Sequence, residues 1–543
     1  MTDGSDPMAP SGAVNPIDTD YKVGQDNIVL NVGPFGLDIH NRVFAVSGLL
    51  VVAFVVLTLA FQNQVEPMFS AMRNWLTSNL DWFFIAAGNI FVVVMLAVAV
   101  SPLGKVRLGG TEATPDYTYL GWFSMLFAAG MGIGLMFFGV SEPLSHFGSA
   151  FGGTTVEGGV RTDWAPLGAA AGDAEAATRL GMAATIYHWA LHPWAIYATI
   201  ALGLALFSFN KGLPLTIRSV FYPLLGERIW GWPGHIIDIL AVLATLFGLA
   251  TSLGYGASQA SSGLNFLFDV PLGNTTQIVL VIGITAIALA SVVAGLDAGV
   301  KRLSEINMAL ALLLMVFVIA VGPTLDILSG FFANLGAYVQ YLPALSNPVG
   351  REDINYSQGW TAFYWAWWIS WSPFVGMFIA RVSRGRSVRE FILAVLIVPS
   401  LACVLWMTVF GETAILQVVR DGYEAAKTAE LPLQLFTMLD ALPLASITSF
   451  IAIILVVVFF VTSSDSGSLV IDVIAAGGKV DAPLPQRVFW CTFEGLVAIA
   501  LILGGGLVAL QAMAVSTGLP FTIVLLMSAV AVVKGLASEP RPR

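Results

Sequence analysis

Charge is what this chain lacks most. Only 11% of its 543 residues are Asp, Glu, Lys or Arg, where a soluble domain carries about 25%. That deficit excludes a water-solvated globular protein. With a net charge of −10, the chain also has no cationic surface with which to hold a nucleic acid. Cysteine is equally scarce. The two present, Cys403 and Cys491, both sit in apolar runs, which excludes a disulfide-framed fold. There is no P-loop, nucleophile elbow or paired-carboxylate site. No catalytic residue and no cofactor are therefore assigned, and the chain is not read as an enzyme. Residues 1–41 have neither a basic start nor an apolar core. They read as a disordered cytoplasmic tail, not as a signal peptide.

Long apolar runs are what the chain does have. By length and apolarity twelve spans are predicted, at about 43–61, 82–100, 119–140, 181–207, 236–266, 277–296, 304–321, 359–380, 388–410, 447–470, 487–503 and 507–533. The fifth and twelfth are long enough to tilt or break. A further amphipathic segment, 325–342, reads as an interfacial helix, too short and glycine-rich to span. The fold class is thus an all-α polytopic membrane protein in contact with lipid. Its transporter domain covers 42–535, with a short cytoplasmic tail at 536–543. The cations support this layout. Of the 24 Lys and Arg, all but Arg73, Arg161, Arg179, Arg351, Arg420 and Lys427 fall on one side of the map. The positive-inside rule makes that side cytoplasmic, with both termini inside and the protein in the cell inner membrane.

Polar or irregular segments interrupt three spans. Ala128–Gly134 carries three glycines at alternate positions. These serve equally to free backbone carbonyls or to pack helices closely through a GxxxG pair. In Tyr187–Tyr197, Pro193 is expected to bend the helix where Trp189, Trp194 and Tyr197 lie. In Phe459–Ser466, five polar residues in a row are costly in lipid unless they line a cavity or bind an ion. They also suit capping of a second half-helix, a role extended to Asp465. His188 and His192 are four apart but lack a third metal ligand, so they read as packed, hydrogen-bonded histidines.

One stretch stands apart. Trp360 to Trp371 hold five of the fifteen tryptophans. On a helix, Trp360, Tyr364, Trp367, Trp368 and Trp371 fall within about 100° of one another, and Trp365 points the other way. Such an indole face attracts a quaternary ammonium group through the ring quadrupole. The alternative is an aromatic belt at the headgroups, which ordinarily uses one or two residues at each helix end. Broken helices at matching positions are the signature of transporters with inverted repeats. Spans 3–7 and 8–12 are the two sets such a repeat would use.

The segments AAGMGIGLMFFGVSEPL (128–144), HWALHPWAIYA (188–198), FYWAWWISWSPFVGMFIARVSRGRSVREF (363–391) and FFVTSSDS (459–466) resemble the betaine/choline/carnitine transporter family. The likeness runs over roughly residues 40–535. It implies twelve spans, a five-plus-five inverted repeat, alternating access and a homotrimer. It implies substrate contacts at Trp189, Trp194 and Tyr197 and at Trp368, with Trp371 on the exit route and Trp367 beside them on the indole face. It implies a sodium site from the carbonyls of Ala128, Met131 and Phe459 and the hydroxyls of Thr462 and Ser463. Proton-driven members resembling this chain carry Asp where Gly134 stands, so sodium coupling is expected. The expected substrate is a small methylated onium osmolyte. Glycine betaine comes first, with dimethylsulfoniopropionate, choline, carnitine and ectoine as rivals. A second sodium site is expected to be degenerate: Thr245 and Phe374 match, but Leu249 replaces the other threonine. The chain stops at KGLASEPRPR, without the long basic helix of osmosensing members, so osmotic activation through such a tail is not expected.

Overall fold

The computed structural model describes residues 10–32, 35–294 and 297–541. In a bilayer every backbone polar group must be satisfied internally, which leaves helices as the economical solution for apolar runs of this length. Each predicted span falls on a helix or a pair of helices. In order they are Val43–Ala60, Gln62–Val100, the pair Tyr119–Gly130 and Ile133–Gly152, and the pair Ala174–Trp189 and Leu191–Ala205. Then come Trp232–Phe268, Asn274–Ala294, Lys301–Val321, Ala362–Val382, Val388–Met407, Ala445–Ala475, Leu484–Leu503 and Gly506–Ala537. Among the described residues ten helices are long and apolar enough to cross a membrane, eleven if the bent third pair counts as one. The eighth span adds a 21-residue helix in which tryptophans take the place of aliphatic residues.

The span limits depart from expectation mainly in the second, which begins at Gln62, twenty residues early, and runs unbroken for 39 residues. The fifth and twelfth spans are continuous over 37 and 32 residues. Burial sorts the spans into layers. In the fourth span 94% of the apolar window is enclosed by protein, against 28% in each of the sixth and seventh. The fourth is therefore central, and the sixth and seventh present their apolar side chains outward. The segment predicted as interfacial is a helix, Thr324–Leu345. It is clamped to the bundle by Arg179, which donates to Asn334 and Glu412, while Asn334 Nδ2 donates to Glu412 at 2.8 Å.

Three expectations are corrected. The tenth span does not break: Ala445–Ala475 is one helix of 31 residues. Its polar stretch is tolerated because hydroxyls turn back to the helix. Thr462 Oγ1 donates to the carbonyls of Val458 and Phe459, and Ser468 Oγ donates to Asp465 O. Asp465 lies inside this continuous helix, not at the start of a second half, and pairs with Arg487 at 3.1 Å. In the fourth span the bend falls at Ala190 (φ −101°, ψ −120°), three residues before Pro193. Pro193 then lies in the first turn of the next helix, where its missing N–H costs nothing.

The third correction concerns the N-terminal tail. Residues 10–32 and 35–41 are ordered, and 1–9, 33 and 34 lie outside the described residues. Asn27–Val32 and Phe35–His40 form an antiparallel hairpin, and Tyr21 stacks on Trp230 at 3.8 Å. Asn27 Nδ2 donates to Ala476 O at 2.9 Å, and Asp38 pairs with Lys479. Low hydrophobicity foretold no core within the tail, but the bundle supplies partners for it. The other terminus is tied at the same end. Glu539 pairs with Lys211 at 2.5 Å and accepts from Asn210 Nδ2 at 3.0 Å.

Candidate functional site

The third span bends by 64° between Gly130 and Ile133. Met131 and Gly132 form the break, and both are extended. Ending a helix there strands its last carbonyls. Met131 N–H is shared between Phe127 O and Ala128 O at 3.2 Å each. Of the alternate glycines, Gly132 faces open space, while a side chain at the other two would strike tryptophan. A Cβ at Gly130 would meet Trp194 at 3.0 Å, and one at Gly134 would meet Trp189 at 2.7 Å. The glycines thus serve both readings: they free carbonyls at the break and admit indoles beside it.

The fourth span breaks at Ala190 and strands carbonyls too, and indole N–H groups take them. Trp368 Nε1 donates to His188 O at 2.9 Å, and Trp194 Nε1 donates to Trp189 O at 3.2 Å. Trp371 Nε1 donates to Gly248 O at 3.0 Å. An indole N–H can only donate, so each such bond fixes the ring that carries it. The result is a set of perpendicular rings. Trp368 stands edge-on to Trp189 (5.2 Å, 87°) and to Tyr197 (5.4 Å, 73°), and Tyr197 stands edge-on to Trp194 (5.4 Å, 80°).

A cavity of about 250 Å³ lies between these elements. Trp189, Tyr197, Trp367, Trp368, Trp371 and Phe374 line it. Ala128, Met131, Phe459, Thr462 and Ser463 line it too. The two residue sets expected from sequence therefore share one chamber. Trp194 does not line it; it is fully buried and edge-on to Tyr197. Thr245 is likewise buried outside the chamber, its hydroxyl donating to Ala241 O at 2.7 Å. Leu249 packs against the tenth span, where a Cβ at Gly467 would meet it at 2.4 Å. Thr251 turns to the twelfth span and donates to Leu510 O at 3.0 Å. Trp365, on the opposite helix face, stacks on His192 (5.5 Å, 10°).

Among the described residues no charged side chain lines the chamber. Its cation-attracting surface is aromatic, and its oxygens are backbone carbonyls and hydroxyls. A hydroxyl that donates to its own helix still offers lone pairs to a cation, so Thr462 keeps that capacity. Phe459 O is less free than a broken helix would have made it, because the helix continues past it. Sequence reasoning missed Ser252, Ser304 and Met308 in the lining, which Ser466 of the polar stretch joins. Isolated serines in apolar helices gave no signal by spacing.

It also missed Glu142, which is fully buried behind Trp189. The predicted third span stops at 140, whereas the helix runs on to Gly152 and makes Glu142 an acid within a span, a functional candidate by default. His188, read as a packed histidine, is one of its partners. His192 bonds Asn89 Oδ1 through Nε2 at 2.9 Å. Glu142, His146 and His188 bring ligand-type atoms within 4.8 Å of one another. Hydrogen bonds among themselves and to neighbouring side chains already occupy these groups.

Comparison with known proteins decides the family. The model of the betaine/carnitine/choline family of transporters matches residues 42–541. The chain belongs to that family. It is a multi-pass membrane transporter and not an enzyme. It is 74% identical to a glycine betaine/proline/choline transporter of Vibrio parahaemolyticus, over 98% of this chain and 96% of that one. It is 54% identical to glycine betaine transporter 1 of the same organism, over 96% and 97% of the two chains. A glycine betaine transporter of Acinetobacter baylyi is 40% identical, over 92% of this chain and 74% of the other.

Proposed function

We propose that this protein imports a small methylated onium osmolyte, glycine betaine foremost, by coupling its movement to sodium. The observation that carries the reading is the shared chamber. Trp368 stands edge-on to both Trp189 and Tyr197 in its lining, and the oxygen-bearing Ala128, Met131, Thr462 and Ser463 line the same chamber. A methylated cation cannot donate hydrogen bonds, and aromatic faces attract it without them. Oxygen-only ligands suit a hard cation such as sodium. In this reading Trp367 and Trp371 flank the substrate, Trp194 buttresses Tyr197, and Phe459 shapes the ion site. Gly134 supports the choice of ion, since a carboxylate side chain there would collide with Trp189. Binding between two broken or tryptophan-rich spans suits alternating access by a five-plus-five inverted repeat. A homotrimer in the inner membrane, with both termini cytoplasmic, completes the proposal.

Choline is the nearest rival, and the relatives' names add proline and ectoine as substrates of those proteins. Carnitine and dimethylsulfoniopropionate share the same cationic head. The deciding experiment is uptake of radiolabelled onium compounds and proline into proteoliposomes, with and without an imposed sodium gradient. Sodium-driven accumulation of glycine betaine is expected. Accumulation that ignores sodium and follows a proton gradient would overturn the coupling, and indifference to all onium compounds would overturn the substrate class.

A further inference from the structure

Glu142 lies on Ile133–Gly152, the second half of the third span, with no exposed surface. Its carboxylate receives four partners. Oε2 accepts from Trp189 Nε1 at 2.7 Å and from the Tyr364 hydroxyl at 2.6 Å. Oε1 lies 2.5 Å from His188 Nδ1 and 3.2 Å from His146 Nε2. Trp189 can only donate, and Tyr364 donates beside it, so Oε2 is a bare acceptor oxygen. One side chain therefore joins the third, fourth and eighth spans around the chamber. His188 extends the link. Its Nε2 lies 2.9 Å from Thr361 Oγ1, and its carbonyl accepts the indole N–H of Trp368. Both rings that meet edge-on at the cage, Trp189 and Trp368, are thus held through this network.

We propose that Glu142 is the positioning residue of the cage, orienting the Trp189 indole and enriching its face in negative charge. Hydrogen bonds to an ionised acceptor are about twice as strong as neutral ones. In a low-dielectric interior such bonds polarise the donor. An indole whose N–H points at a carboxylate has its π cloud enriched, and that cloud is what a cation senses. The acid thereby supports cation binding without entering a chamber whose lining carries no charge. Its field also favours a net cation such as choline more than a zwitterion such as glycine betaine.

This inference rests on the aromatic-cage reading above, so the experiment separates the two. Half-saturating concentrations and maximal uptake rates for choline and glycine betaine are measured in proteoliposomes for the wild type, Glu142→Gln, Glu142→Asp and Trp368→Leu. Glu142→Gln keeps the shape and loses the charge. It is expected to raise the half-saturating choline concentration about tenfold and that of glycine betaine less, with the maximal rate retained. Glu142→Asp keeps the charge but withdraws it by one methylene, and should recover part of that loss. If Glu142→Gln does not accumulate in the membrane, Glu142→Asp alone still reads the proposal, through a raised half-saturation at unchanged maximal rate. If Trp368→Leu weakens binding while neither Glu142 variant does, the positioning role fails and the cage stands. If Trp368→Leu also leaves binding unchanged, the cage itself is wrong.

Discussion

At the scale of the residue, two tryptophans three positions apart have different tasks. Trp368 stands edge-on to Trp189 and Tyr197 in the chamber, and its N–H plugs a stranded carbonyl. Trp365 is buried on the other face, and its indole nitrogen has no hydrogen-bond partner among the described residues. Trp368→Leu should therefore remove a desolvated cation–π contact of about 2 kcal/mol, a rise of roughly thirtyfold in half-saturating substrate. Trp365→Phe keeps an aromatic ring on His192 and breaks no hydrogen bond, so half-saturation should stay within about twofold. Equal losses at both positions would point to packing alone. The same logic applies to the ion. Thr462→Ala and Ser463→Ala each delete one chamber oxygen. Each should raise the sodium concentration for half-maximal uptake more than it raises the substrate concentration needed at saturating sodium. Sodium activation curves that overlay the wild type would refute the assignment.

At the scale of the element, the contact between the fifth and tenth spans bears on stoichiometry. Leu249 fills the space over Gly467, Thr245 lies outside the chamber, and Thr251 turns to Leu510 of the twelfth span. A second sodium there would find an apolar side chain where another oxygen is wanted. One sodium per substrate is expected, with a Hill coefficient near one. Reversal potentials in proteoliposomes that match two ions per substrate would refute this. Leu249→Thr is the variant expected to raise cooperativity without changing which onium compounds are accepted.

The docked N-terminal hairpin makes a different prediction. His40 Nδ1 accepts from the backbone N–H groups of Arg42 and Val43 at 3.3 Å each, capping the first span. Burial, with Arg218, His235 and Arg42 nearby, pushes His40 from 6.5 down to about 3, and Asp26 lies 3.9 Å away. The folded pKa is below the unfolded one, so the stabilisation is complete above pH 6.5 and is lost as pH falls toward 3. Hydrogen exchange over residues 27–46, corrected for intrinsic pH dependence, should be faster at pH 5 than at pH 7.5. Equal protection at both would sink the prediction.

At the scale of the whole molecule, the cation distribution and the positions of the tails make one testable statement about orientation. The Val156–Glu157 and Val160–Arg161 hairpin follows the third span, and Asp116 precedes it. Both native cysteines are buried, so single introduced cysteines report cleanly. Glu157→Cys should react with a membrane-impermeant maleimide in intact cells, and Asp116→Cys only after permeabilisation. The reverse pattern would invert the topology.

Much of this protein follows from composition and order along the chain. Scarcity of charge and long apolar runs determine helices that cross a membrane, because a continuous apolar run of about twenty residues satisfies its backbone hydrogen bonds within itself only as a helix. The Trp360–Trp371 pattern determines an indole face, since helical periodicity alone places those side chains together. The three-glycine run determines where the third span yields. What sequence could not settle is what long-range contacts decide. Phe459–Ser466 reads as a break, but Thr462 and Ser468 return their hydroxyls to their own helix and keep it whole. The tail reads as disordered, but it borrows partners from Ala476, Lys479 and Trp230. Trp194 belongs to the aromatic cluster by spacing, yet it packs edge-on to Tyr197 and does not line the chamber. Glu142 lies 47 residues from the Trp189 indole it holds and 222 from the Tyr364 hydroxyl. Local pattern fixes which face of a helix is apolar, but only the packed bundle decides which buried donor meets which acceptor.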